Sequence, residues 1–76
     1  MNSELALGAA VLWGSQAMPA IVLSVEGDRV ELAYRRRRQL RTGFTRIDRI
    51  VLCPPGPQHR RLSADIAPRL QLALFD

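Results

Sequence analysis

A chain of 76 residues holds one core and excludes a second, because a body this small buries only a modest share of its surface. Apolar residues make up 47% of it, which excludes a wholly disordered chain, and a single cysteine excludes an internal disulfide and points to a reducing compartment. The formal net charge is +4 and all eleven basic residues are arginine, a side chain whose planar fork suits phosphate or carboxylate; the same bias also follows from a GC-rich genome, so charge by itself does not choose a partner.

At the N-terminal end, Leu5 to Trp13 is apolar enough to imitate a secretory signal, but Glu4 stands where such a signal has positive charge. No apolar run is long enough to span a bilayer. These features give the expectation of a cytoplasmic protein with no membrane partner.

The region from Gly8 to Trp13 places Val11 and Trp13 on one face of a first strand, and Gly14-Ser15 supplies a turn. Pro19, which has no N–H to offer a ladder, is expected at a strand start or an edge. From Ala20 to Val25 the alternation continues with both faces apolar, then Glu26-Gly27-Asp28 breaks the run. After the break Val30, Leu32 and Tyr34 alternate with Arg29, Glu31 and Arg35. That predicts a hairpin with glycine where a tight turn requires positive φ.

Leu40, Thr42 and Phe44 alternate with Arg41, Gly43 and Thr45 in a fourth strand, with Gly43 expected to mark a bulge or bend. Ile47-Asp48-Arg49 has the length of one turn of tight helix, and Ile50-Val51-Leu52 reads as a short fifth strand. Five short strands with local connections over residues 8–53 resemble an SH3-like or Tudor-like barrel in strand count and spacing. The expected fold class is therefore all-β: a small five-stranded SH3-like barrel (1–53), a Pro/Gly linker (54–61) and a flexible or partly helical C-terminal tail (62–76). The linker assignment rests on Pro54-Pro55-Gly56-Pro57, which reads as extended polyproline geometry.

The tail ends Gln71-Leu72-Ala73-Leu74-Phe75-Asp76. Its five residues Gln71 to Phe75 are similar to the peptide by which bacterial polymerases, repair proteins and replication regulators bind the β sliding clamp: a Gln, then a Leu, a small or acidic residue, then Leu-Phe. The resemblance implies that Leu74 and Phe75 enter an apolar pocket on the clamp, that Leu72 packs beside it, and that Gln71 bonds the rim. It implies an adaptor or regulator in DNA replication, repair or mobile-element maintenance. Two structural readings compete with it, since Leu70, Leu72 and Leu74 share one face of a strand, and Ile66, Leu70 and Leu74 form a helical stripe. Pro68 argues against one continuous helix from Ser63, while a helix starting near Pro68 is compatible with it.

The second constellation is Arg35-Arg36-Arg37-Arg38 with Arg41, five like charges in seven residues, with Arg46, Arg49, Arg60 and Arg61 not far off in sequence. Crowding them costs free energy unless water or an anionic partner screens them. A nucleic-acid backbone would do so in a salt-sensitive and weakly sequence-selective manner, with Tyr34 and Trp13 as stacking faces or as core. The bland reading is a solvated loop. A basic nucleic-acid-binding or regulatory barrel with a structural tail is thus the alternative to the clamp adaptor.

Catalysis is not expected. Asp28, Asp48 and His59 are scattered without an acid–base pairing, a Cys53–His59 pair has no third member to orient it, and one His with one Cys cannot build the usual zinc cluster. The expected cofactor and metal content is none; the expected partners are the β clamp and DNA, with homodimerisation through sheet edges a further option.

Overall fold

The computed structural model describes the backbone of residues 7–75 and the side chains of residues 7–67. Strands β1 (Ala10–Trp13), β2 (Met18–Glu26), β3 (Arg29–Arg36) and β4 (Gln39–Arg46) run in succession, a 3-10 turn (Ile47–Arg49) leads into β5 (Ile50–Leu52), and helix α1 (Pro57–Phe75) follows. The elements through residue 52 fall where alternation and turn residues place them. Gly27-Asp28 closes the β2–β3 hairpin between paired Glu26 and Arg29, with Gly27 at φ 63°. Pro19 is the second residue of β2, opposite Leu12.

The bulge lies elsewhere than expected. Pairing runs without interruption through Gly43, which faces Leu32; the register shifts instead between Val22 and Ser24, so that Leu23 is the extra residue. Gly43 serves a packing purpose, since a Cβ there would sit 3.5 Å from the Tyr34 ring and 3.7 Å from the Trp13 ring. The two aromatics cover the bare backbone of β4.

The SH3-like barrel is corrected by the strand order β4-β3-β2-β1-β5, in which β4 and β5 are two edges that share no ladder. The all-β assignment falls with it, because a long helix forms one layer of the molecule. The sheet is nonetheless strongly curled, as a length argument shows. Crossing four strand spacings on a flat sheet is roughly 19 Å, whereas the step from Arg46 to Ile50 spans about 14 Å at most. The edges must therefore approach each other without pairing.

Curling leaves two apolar faces to satisfy, which explains why β2 is apolar on both sides. On the concave side Val11, Ala20, Val22, Val30 and Leu32 are wholly buried, closed off by Trp13, Tyr34, Ile47 and Ile50. The 3-10 turn is anchored there by Ile47 N–H donating to the Asp28 carbonyl at 2.7 Å. On the convex side Ala10, Ile21 and Ala33 are buried against Leu62 and Ile66 of α1, with Leu23, Leu40 and Cys53 around them. A barrel would bury only its inside; here the helix supplies the second cover. Burial of Leu62 and Ile66 contributes about 1.5–3 kcal/mol each.

The helix corrects two further expectations. Between β5 and α1 residues 53–56 are irregular, and residues 57–61, expected as extended linker, are helical. Pro57 stands at the first helical position, where its fixed φ suits the turn and its missing N–H is no loss. The first helical hydrogen bond runs from Arg60 N–H to the Gly56 carbonyl at 3.0 Å, which makes Gly56 the N-cap. His59, Leu62 and Ile66 then recur at helical spacing on the sheet-facing side. The backbone also stays helical through Pro68, so that proline is absorbed at the expense of one main-chain hydrogen bond. Among the described residues no helix is long and apolar enough to cross a membrane.

Candidate nucleic-acid interface

The arginine run forms the end of β3, the whole β3–β4 turn and the start of β4. Arg36 pairs with Gln39, so Arg37 and Arg38 are the two turn residues, and their φ angles are 53° and 65°. Two positive φ values are what a two-residue type I′ turn demands, and Asn-Gly is the pair that adopts them without strain. For an arginine the left-handed region costs roughly 1–2 kcal/mol. Among the described residues three non-glycine positions have positive φ, and two of them are these adjacent arginines.

Strand alternation divides the cluster between the two faces of the hairpin. Tyr34, Arg36 and Arg41 lie on the concave side, and with Arg37 they line one shallow pocket. Tyr34 meets Trp13 edge to face, with ring centroids 5.1 Å apart and planes at 65°, so this basic patch borders on an aromatic pair that is half-buried. Trp13 and Tyr34 are thus both part of the concave core and its exposed rim. Arg41 donates to the Gln39 side chain at 3.0 Å. Arg35 and Arg38 line a second cleft on the convex side, together with Arg61 of α1.

The charges are largely uncompensated from within. Among the described residues the ion pairs are Arg35–Asp65 and Arg46–Asp48. The first ties β3 to the helix and, being half-exposed, contributes under about 1 kcal/mol. Arg36, Arg37, Arg38 and Arg41 have no carboxylate partner among the described residues. Of the other arginines named with the run, Arg61 joins it in space, while Arg46 and Arg49 do not. They sit with Arg29 around Asp28, Phe44 and Thr45, about 23 Å along β3 from the hairpin turn. There Arg29 lies over the exposed Phe44 ring at 4.3 Å, a stabilising cation–π contact.

Cys53 and His59 do come together, at 3.7 Å between Sγ and Nε2. The histidine is buried and both its nitrogens are occupied. Gly56 N–H donates to Nδ1 at 3.0 Å, and the remaining ring proton, assigned from that bond to Nε2, is donated to the Val11 carbonyl at 2.9 Å. With Nδ1 and Nε2 both engaged, no lone pair is free to take the thiol proton, so this pair lacks the arrangement a nucleophile and base require. His59 acts instead as a clasp: as the third helical residue it bonds back to the N-cap N–H, in the manner of a capping box, and it pins the helix start to β1. Sequence reading missed this role. Gly56-Pro57 followed two residues later by a polar side chain was the available signal. Among the described residues no three His, Cys, Asp or Glu side chains gather as metal ligands.

The peptide Gln71–Phe75 continues the backbone of α1, and the side chains of Gln71, Leu72, Leu74 and Phe75 lie outside the described residues. Among the described side chains, the last residue of α1 in the core is Ile66. No family model matches the chain, and no curated protein or solved structure matches it, which leaves the arginine hairpin as the guide to function.

Proposed function

We propose that the chain is a non-catalytic cytoplasmic module that binds nucleic acid through its β3–β4 hairpin. The observation that carries this reading is the placement of Arg37 and Arg38 in left-handed backbone at a turn where Asn-Gly would be unstrained. Strain of this kind, combined with uncompensated like charge, marks a segment whose residues answer to something besides stability. Arg35, Arg36 and Arg41 flank the turn on both faces and, with Arg38 in the turn itself, provide forks for phosphate oxygens, and Tyr34 with Trp13 offers an aromatic edge beside the concave pocket for an unstacked base.

The test is a salt titration with a single-stranded oligonucleotide. If about four arginines engage phosphates, the log–log slope is near −3 and affinity falls roughly fiftyfold between 50 and 200 mM salt. Replacing Arg36, Arg37, Arg38 and Arg41 together by Gln should flatten that slope while the protein remains folded. Affinity insensitive to salt, or unchanged in the fourfold variant, removes the reading.

A second contact is supported by the resemblance of Gln71–Phe75 to the β-clamp-binding peptide, set at the far end of α1 beyond Ile66. Together the two contacts describe an adaptor that brings a clamp and a nucleic acid into one assembly, where tethering raises the effective concentration of each weak partner. Deleting residues 71–76, or Leu74→Ala with Phe75→Ala, should abolish capture by purified β clamp and leave oligonucleotide binding intact. Unaltered clamp affinity after that deletion refutes this part.

A further inference from the structure

The cleft on the convex side of the hairpin is built differently from the rest of the basic surface. It has a volume of about 300 Å³ and is lined by Arg35, Arg38, Arg61, Gln58, Met18, Pro19 and Leu62. Its residues come from three elements that meet only in the folded chain: the start of β2, the β3–β4 hairpin and the first turns of α1. Arg35 is held in place by Asp65, one turn beyond Arg61 on the helix. Three guanidinium groups against that one carboxylate leave two positive charges. Met18, Pro19 and the edge of Leu62 add an apolar wall.

From this geometry we infer that the cleft is a binding site for a phosphate monoester with a compact body. A phosphate monoester carries about −1.5 to −2 near neutral pH, which matches two uncompensated guanidinium charges better than the single charge of a carboxylate or a phosphodiester. Its three terminal oxygens accept bidentate bonds from arginine forks, and the Gln58 amide has both a donor and an acceptor for the attached group. The volume is at the lower end of the range of about 300–1,000 Å³ that small-molecule sites occupy, so a mononucleotide or a chain terminus fits and a duplex does not. The site is separate from the concave patch of Tyr34, Arg36, Arg37 and Arg41, which faces the other way. Either a free mononucleotide or the 5′-phosphate end of a nucleic acid carries the required group.

Titration of the intact chain at low salt with uridine 5′-monophosphate, and with uridine as the control, tests the inference. Saturable binding at least tenfold tighter than uridine is expected, weakened tenfold or more by Arg61→Gln or Arg38→Gln, and changed less than twofold by Arg36→Gln combined with Arg41→Gln. Arg61→Lys, which keeps the charge but loses the fork, should fall between. A pair of oligonucleotides differing only in a 5′-phosphate identifies the source: an Arg61-dependent gain from the phosphate supports a chain end, and its absence with mononucleotide binding retained supports a free mononucleotide. No saturable monophosphate binding, or equal loss from the Arg36 and Arg41 changes, overturns the site. Loss of polymer binding in the Arg36 and Arg41 variant with monophosphate binding intact separates this site from the hairpin's own contact.

Discussion

Two hairpin turns in this molecule have the same length and opposite chemistry. Both join antiparallel strands of the curled sheet through two residues: Gly27-Asp28 between β2 and β3, and Arg37-Arg38 between β3 and β4. The first puts glycine where φ is positive, at 63°, and so meets the requirement without a clashing Cβ. The second puts two long cationic side chains into the same backbone region, at 53° and 65°. One turn relieves the backbone and the other carries it at a cost; under the proposed function that cost is offset by what the second turn displays, guanidinium forks on both faces of a strand pair.

The largest expected effect tests what holds the two turns in a common frame. Leu62→Ala removes a buried side chain between α1 and the sheet and should destabilise by about 2–5 kcal/mol, lowering the midpoint of a urea unfolding curve without favouring either turn. A melting curve that barely moves would mean that the helix is not needed as the second cover. Next in size, Arg37→Asn with Arg38→Gly should stabilise by about 2 kcal/mol through relief of the left-handed strain, while the salt slope for single-stranded oligonucleotide becomes shallower by about 1.4. A variant that gains stability and keeps full affinity would erase the functional side of the contrast. In the reverse direction, Gly27→Ala should cost about 1 kcal/mol, read as a fall of about 4–8 °C in Tm, with oligonucleotide affinity unaffected. The smallest change is Gly43→Ala. An added Cβ there meets the Tyr34 ring at ordinary contact distance, so stability should stay within about 0.5 kcal/mol; a larger loss would show that the Trp13–Tyr34 cover tolerates no methyl group.

The residues show why some features were legible and others were not. Alternation is a steric property of the local backbone, and it placed β1 to β5, as Leu40-Arg41-Thr42 and Val30-Glu31-Leu32 illustrate. The prolines misled because their meaning depends on position. Pro57 reads as a breaker in the company of Pro54 and Pro55, yet it begins α1, and Pro68 sits inside the helix it was expected to interrupt. Gly43 reads as a bulge in the sequence because a missing side chain in a strand has two uses, and covering by Tyr34 and Trp13 depends on partners 9 and 30 residues away. In the candidate site the cluster itself was plain, but its division was not: Arg61 joins Arg35 and Arg38 only because α1 folds back over β2 and β3.

From the order of residues alone came the strands, the glycine turn of the first hairpin, the 3-10 turn and the density of arginine, since each depends on neighbours within a few positions. Tertiary structure decided that the sheet curls without closing, that the C-terminal segment becomes the helix covering its convex face, and that His59 reaches the Val11 carbonyl across 48 residues. It also decided which arginines face each other. Those outcomes depend on long-range burial and on whether distant edges can meet, quantities that no local period in the chain encodes.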